Sequence, residues 1–175
     1  MKPIKNFLLE GQPGSGKTTL ILKMVRRLDG RKLGGFYTEE IRESGDRTGF
    51  HIRTLDGKED VLAHVDLKYG TRVGRYGVNV SAFEEMVIPC LKQAVKESEL
   101  ILIDEIGKME LFSERFRMAV MACLSSDIPV VATIMVRSHP FADQIKMRPD
   151  VKRMVVTKED QPFIIKEIVE ELGLD

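Results

Sequence analysis

The chain has 175 residues, and its 27 Lys and Arg balance 27 Asp and Glu, so the formal net charge is zero. That length predicts one domain over residues 1–175 with a real core, and the charge balance demands neither nucleic acid nor an anionic membrane as partner. Cys90 and Cys123 lie far apart in apolar helical patterns and read as reduced core residues, not a disulfide or metal pair; no apolar run is long enough to span a bilayer and no signal segment precedes the first strand, so a cytoplasmic location is expected.

Residues 4–10 read as a short buried strand. Directly after them, Gly11-Gln12-Pro13-Gly14-Ser15-Gly16-Lys17-Thr18 fits the phosphate-cradling pattern G-x-x-x-x-G-K-[ST]. Residues 16 to about 28 read as the helix that follows, with Leu20, Ile21, Met24, Val25 and Leu28 on one face. Strand, glycine loop and helix together turn the pattern into a mechanism. Without a Cβ, the glycines let the backbone approach an anion. Successive N–H groups form a positively polarised nest, and the helix opens there with unpartnered N–H groups. Lys17 can reach the β and γ phosphates, and the Thr18 hydroxyl can ligate Mg²⁺. Thr19 is a second hydroxyl donor, and Pro13 stiffens the loop.

Residues 33–42 read as a second strand, and Ser44-Gly45-Asp46 as a turn. Residues 48–55 alternate in polarity and read as a third strand. Asp56-Gly57 is a hairpin signal, and residues 60–65 continue as a fourth strand. Hairpins are antiparallel, so this section extends an otherwise parallel sheet. Residues 70–80 are glycine-spaced and read as a loop, either plain surface or ligand-facing. Ser81-Ala82-Phe83-Glu84 has capping-box form and opens a helix to about residue 96. Phe83, Met86, Val87, Cys90, Leu91, Ala94 and Val95 should face inward, and Pro89 should kink the helix.

Leu100-Ile101-Leu102-Ile103-Asp104-Glu105 is the second landmark. Four consecutive aliphatic residues predict a central strand buried on both faces. Two acids at its end are costly inside, so they should emerge at the carboxyl edge of the sheet beside the glycine loop. Asp104 then suits the Walker B task of holding Mg²⁺ through water, and Glu105 that of a general base for an attacking water. The plain alternative is a strand followed by a polar helix cap. Ile106 and Gly107 lead onward. The candidate nucleotide-contacting set is thus the glycine loop, Thr19, and Leu100, Ile101, Leu102, Ile103, Asp104, Glu105, Ile106 and Gly107. Lys17, Asp104 and Glu105 are the candidate catalytic groups, and Thr18 and Asp104 the candidate metal ligands.

Ser113 should cap a helix to about residue 124, with Phe116, Val120, Cys123 and Leu124 inward. Residues 129–134 read as a buried parallel strand, whose Thr133 either senses the γ-phosphate or is an ordinary inward threonine. A short helix over residues 141–146, a strand over 151–156 and a last helix from about 160, ended by Gly173, complete the chain. The alternation predicts an α/β three-layer P-loop NTPase sandwich. Its twisted sheet is mostly parallel, with an antiparallel hairpin extension. The acid after Asp104 places it in the additional-strand, catalytic-glutamate division, in which an extra strand separates the glycine-loop strand from the Walker B strand.

With these stretches in view, the chain resembles a family of small nucleoside triphosphatases typified by thermophile enzymes and including a human cancer-related relative. The resemblance rests on the glycine loop with Thr19-Leu20 and on Gly35-Phe36-Tyr37-Thr38-Glu39-Glu40-Ile41-Arg42. It also rests on Arg47-Thr48-Gly49-Phe50, Tyr76-Gly77-Val78-Asn79-Val80 and Val131-Ala132-Thr133-Ile134. Most specific is Asp104-Glu105-Ile106-Gly107-Lys108-Met109-Glu110-Leu111-Phe112-Ser113. It implies Mg²⁺-dependent hydrolysis of several nucleoside triphosphates, ATP and GTP among them, to diphosphate and phosphate. The residues agree, because no Asn-Lys-x-Asp element reads guanine and the visible contacts go to phosphate and metal. Two alternatives stay open: a kinase passing the γ-phosphate to a small or polynucleotide acceptor, with Arg137, Arg148 and Arg153 as lid candidates, and a nucleotide-gated switch acting on a protein partner. Glu39 and Glu40 either reach the site or pair with bases, Lys108 either adds charge or is solvated, and no arginine finger is assigned.

Overall fold

A computed structural model describes residues 2–175 of the protein. The chain runs β1 (Asn6–Glu10), α1 (Lys17–Arg27), β2 (Leu33–Glu43), β3 (Asp46–Thr54), β4 (Glu59–His64), β5 (Thr71–Val73), β6 (Tyr76–Val78) and α2 (Val80–Glu97). It continues through β7 (Leu100–Ile106), a 3-10 turn (Glu110–Phe112), α3 (Glu114–Ser125), β8 (Val130–Ile134), α4 (Pro140–Lys146), β9 (Val151–Val155) and α5 (Gln161–Glu171). The strands form one sheet in the order β5-β6-β4-β3-β2-β7-β8-β1-β9. From β2 to β9 every pairing is parallel. From β2 outward to β5 every pairing is antiparallel. β8 lies between β7 and β1, which is the extra strand expected between the two motif strands.

Strand alternation divides the core. Ile101 and Ile103 of β7 enter one cluster with Phe83, Val87 and Leu91 of α2 and Phe116 and Val120 of α3. Leu100 and Leu102 enter the other, with Leu20, Ile21 and Met24 of α1 and Ile164, Ile165 and Ile168 of α5. A strand covered on both faces must be apolar at every position, which explains the unbroken aliphatic run of β7. Phe36 of β2, Phe83 and Phe116 meet edge to face, with ring centroids 5.8, 5.9 and 5.0 Å apart, and join the sheet to both helices. No helix among the described residues is long and apolar enough to cross a membrane.

The glycine-spaced segment is not a loop. It forms a hairpin, β5 and β6, that adds two strands to the antiparallel side through Ala63↔Val78 and His64↔Gly77. Gly74 turns the hairpin at φ 56°. A Cβ on Gly77 would stand 2.3 Å from the Leu67 carbonyl oxygen, so close backbone contact sets that glycine. The same pairing moves the start of α2. Because β6 holds the chain in the sheet to Val78, Asn79 becomes the cap, and its Oδ1 accepts the Ala82 N–H at 3.1 Å. Ser81, the expected cap, is an exposed residue of the first turn. Asn79→Ala should therefore cost about 1 kcal/mol in urea unfolding, and Ser81→Ala less than about 0.5. The reverse ranking would restore the capping-box assignment. Further along α2, Pro89 sits on the exposed side while the helix runs on to Glu97, and Ile88, outside the expected inward set, is buried. Ser113 caps α3 as expected, accepting from Phe116 N–H at 3.0 Å and donating to Glu84 at 2.6 Å.

Candidate active site

The glycine loop joins β1 to α1. Its last glycine, Gly16, takes the left-handed conformation at φ 93°, and the Gly16 carbonyl accepts the Leu20 N–H at 2.9 Å as the helix begins. From the opposite side Gln161, buried at the start of α5, donates to that carbonyl at 3.0 Å and accepts from Lys23 at 2.8 Å. A Cβ on Gly16 would lie 2.3 Å from Gln161 Nε2, so glycine at this position lets α5 brace the loop. Ser15 Oγ is buried and has no hydrogen-bond partner among the described residues. Such an orphaned donor inside a nest of amides suits an anion.

Lys17 Nζ donates to the Gly11 carbonyl at 2.8 Å and meets Glu105 Oε2 at 3.3 Å. The Thr18 hydroxyl donates to Asp104 Oδ2 at 2.8 Å. The glycine loop and the end of β7 therefore share one rim. This follows from the sheet, because β1 and β7 flank β8 in parallel and end at the same edge. The Asp104–Glu105 peptide bond is cis.

Asp104 reaches that edge as expected but stays buried there, 2% exposed. Protein donors replace water: Thr133 of β8 at 2.6 Å, Thr18, and the backbone amide of Thr38 at 3.5 Å. Burial pushes its carboxyl up to about 6, the Thr133 and Thr18 hydroxyls oppose that, and the Glu105 charge adds to it. Thr133 is thus neither a proven phosphate sensor nor a plain core threonine: it anchors Asp104. Glu105 alone of the pair stays partly exposed. Glu110 follows in the 3-10 turn and is 4% exposed. Burial, then the Glu105 and Asp104 charges, raise it well above the ordinary carboxylate range, against the backbone amides of Glu110 and Gly107.

A cavity of about 710 Å³ opens over this rim. It is lined by Pro13, Gly14, Gly16, Lys17, Thr18, Thr19, Asp104 and Glu105, together with Thr38, Glu39, Glu40, Arg47, Phe50 and Lys158. A smaller chamber of about 180 Å³ shares Thr38, Phe50 and Glu105 with it and reaches Lys108, Met109 and Glu110. Another cavity, of about 610 Å³ beside Arg31, Gly34 and Cys90, contains none of the candidate site residues.

The structure does not bring every candidate to the cavity. Leu100, Ile101, Leu102, Ile103 and Ile106 are fully buried, their side chains alternating into the two helix layers, so they carry the rim from below and line none of it. Gly107 packs on Glu105, where a Cβ would lie 2.6 Å from its Oε1. Gln12 is exposed, and Gly11 contributes its carbonyl to Lys17. Glu39 pairs with Arg53 at 2.9 Å, and Glu40 with Arg42 at 2.7 Å and Arg47 at 3.2 Å, yet both acids also line the cavity. Arg148 and Arg153 are tied to Asp150 and Glu10 at 2.8 and 3.0 Å, and Arg137 is exposed. Sequence reasoning missed Arg47, Lys158 and Gln161. Only Arg47 carried a signal, since it stands near the start of a strand three residues before the aromatic Phe50.

Comparison with known proteins agrees along the chain. The family model described as NTPase matches residues 6–169. The nucleoside-triphosphatase THEP1 of Thermotoga petrophila is 48% identical over 163 residues, covering 93% of this chain and 90% of that protein. The human cancer-related nucleoside-triphosphatase is 41% identical over 180 residues, covering 94% and 95%. The crystal structure of THEP1 from the hyperthermophile Aquifex aeolicus superposes with a TM-score of 0.87 at 41% identity, over 95% of this chain and 98% of that one. The solution structure of a human cancer-related nucleoside triphosphatase gives 0.80 at 40% identity, over 95% and 96%. With its two motif strands, its braced glycine loop and this match running nearly end to end, the chain belongs to the NTPase family.

Proposed function

We propose that the protein is a nucleoside-triphosphate phosphohydrolase that converts ATP, GTP and other nucleoside triphosphates to diphosphate and phosphate, with Mg²⁺ as cofactor and little regard for the base. The observation that carries this is the convergence of Lys17, Thr18, Asp104 and Glu105 on one cavity in a chain of the NTPase family.

The loop amides and Lys17 bind the β and γ phosphates. Lys17 is already aimed by its bond to the Gly11 carbonyl, so little reorganisation is needed when charge builds on the phosphate oxygens. The donor set fits Mg²⁺: a hydroxyl and a carboxylate 2.8 Å apart, hard oxygens that leave most positions to phosphate and water. Thr18 directly and Asp104 through water would hold the ion, which when bound supplies charge neutralisation to the phosphates. Glu105, partly exposed at the rim, aligns a water for in-line attack and takes its proton. Two of the three candidate lid arginines of an acceptor kinase, Arg148 and Arg153, are engaged elsewhere, which favours water as the acceptor. We read residues 1–175 as one domain acting on small-molecule substrates in the cytoplasm.

Phosphate release should be measured with ATP, GTP, CTP and UTP, with Mg²⁺ and with a chelator. All four rates should fall within about tenfold of one another, since phosphate and metal contacts carry the binding, and the chelator should abolish them. A strong preference for one base would defeat the broad-substrate reading. Turnover that survives chelation would defeat the metal assignment.

A further inference from the structure

The cavity has three cationic side chains on its wall. Lys17 belongs to the glycine loop, and Lys158 stands beside Gly16, its Cγ 3.8 Å from where a Gly16 Cβ would be. The third, Arg47, lies at the start of β3 and lines the cavity with Thr38, Glu40 and Phe50. Glu105 lines the same cavity, and the smaller chamber shares Glu105, Thr38 and Phe50 with it. Arg47 thus comes to the cavity from the antiparallel side of the sheet, packed on Phe50, which also borders the chamber that Glu105 lines.

We propose that Arg47 is a catalytic residue: an arginine finger supplied by the chain itself, which swings onto the γ-phosphate once a triphosphate is bound. This deepens the phosphohydrolase reading and rests on it.

Its present contacts are those of a parked group. Nε donates to the Tyr76 hydroxyl at 3.0 Å and Nη1 to Glu40 at 3.2 Å. Nη2 has no hydrogen bond among the described residues, and the side chain is 43% exposed. The guanidinium lies 5.3 Å from the Phe50 ring centroid and 5.9 Å from that of Tyr76, contacts that hold it without using up its donors. Departure strands no partner. Glu40 keeps Arg42 at 2.7 Å, and Tyr76 keeps Arg75, 5.4 Å from its centroid and hydrogen-bonded at 3.4 Å. Arg75 also donates to the Arg47 backbone carbonyl, so the β5–β6 hairpin is fastened without the Arg47 side chain. A structural clamp would be redundant here, whereas a planar fork with an unpaired donor, on a side chain that lines the cavity, matches what the transition state needs.

The test compares wild type with Arg47→Ala, Arg47→Lys and Glu105→Gln, all assayed below their measured melting points. For Arg47→Ala, kcat should fall about a hundredfold or more, with the KM for ATP within about threefold. Guanidinium chloride at non-denaturing concentration should restore at least about tenfold of that loss, and should restore nothing to Glu105→Gln. A kcat for Arg47→Ala within about threefold of wild type, or a loss that guanidinium leaves unchanged, would overturn the proposal. If Arg47→Ala does not fold, Arg47→Lys decides. It keeps the charge and loses the planar fork, so a kcat down by about tenfold or more supports the finger and an unchanged kcat removes it. Full activity in Glu105→Gln would strike at the underlying phosphohydrolase assignment, while an inactive Glu105→Gln beside a fully active Arg47→Ala would strike at the finger alone.

Discussion

Glu105→Gln is expected to lower kcat by about a hundred- to ten-thousandfold while triphosphate binding is kept or tightened. The substitution changes almost no volume and leaves an amide that can still accept a hydrogen bond from water. It removes the negative charge and the basicity needed to draw off a proton. Binding should not suffer, because Glu105 now competes with phosphate for Lys17 across 3.3 Å. Without the carboxylate that pair is gone, and the ammonium is free to turn wholly to the β and γ phosphates. The neighbouring Asp104 keeps its two threonine donors and is relieved of one like charge. Calorimetric titration with a slowly hydrolysed triphosphate analogue, beside single-turnover phosphate release, separates the two effects. Undiminished release would remove Glu105 from the chemistry. A collapse of affinity together with release would make it a binding group instead.

Gly35→Ala should destabilise the fold by about 4 kcal/mol or more, a large part of what a domain of this kind possesses. Gly35 lies in β2 opposite Leu102 of β7, at φ 113°. A Cβ there would stand 1.8 Å from the Leu102 carbonyl oxygen, and both partners are backbone in the middle of a paired sheet. The strands cannot part without opening the β2–β7 ladder, and β7 is the strand that carries Asp104 and Glu105. Gly30→Ala is the useful control. It has a positive φ of 89° but nothing within 4 Å, so it should show only the conformational cost of about 1–2 kcal/mol. Urea unfolding of both variants distinguishes strain from collision. Near-equal costs would mean that β2 and β7 are not paired in this register.

What could be read beforehand was whatever is local or periodic. The glycine loop announces its own geometry, because only residues without a Cβ tolerate the turn at Gly16. The aliphatic run of β7 declares double-sided burial, and the Ser113 cap needs only its own next turn. Where several residues compete for one task, locality fails. Ser81 has the better capping pattern, but strand pairing of Tyr76–Val78 hands the cap to Asn79.

The chain's order of residues determined the strand–loop–helix unit, the acidic pair after a buried strand, and the parallel alternation that sends both to one edge of the sheet, since these depend on spacing and polarity over short stretches. Only the tertiary structure decided how deep each acid lies. Asp104 can be buried because Thr18 and Thr133, from two other elements, supply the donors that water would otherwise provide. It also decided that Gln161 braces the loop from 145 residues away and that Arg47 faces the cavity from the antiparallel side. Hydrogen bonding and desolvation are set by neighbours in space, and no periodicity in the chain records which distant residue will be the neighbour.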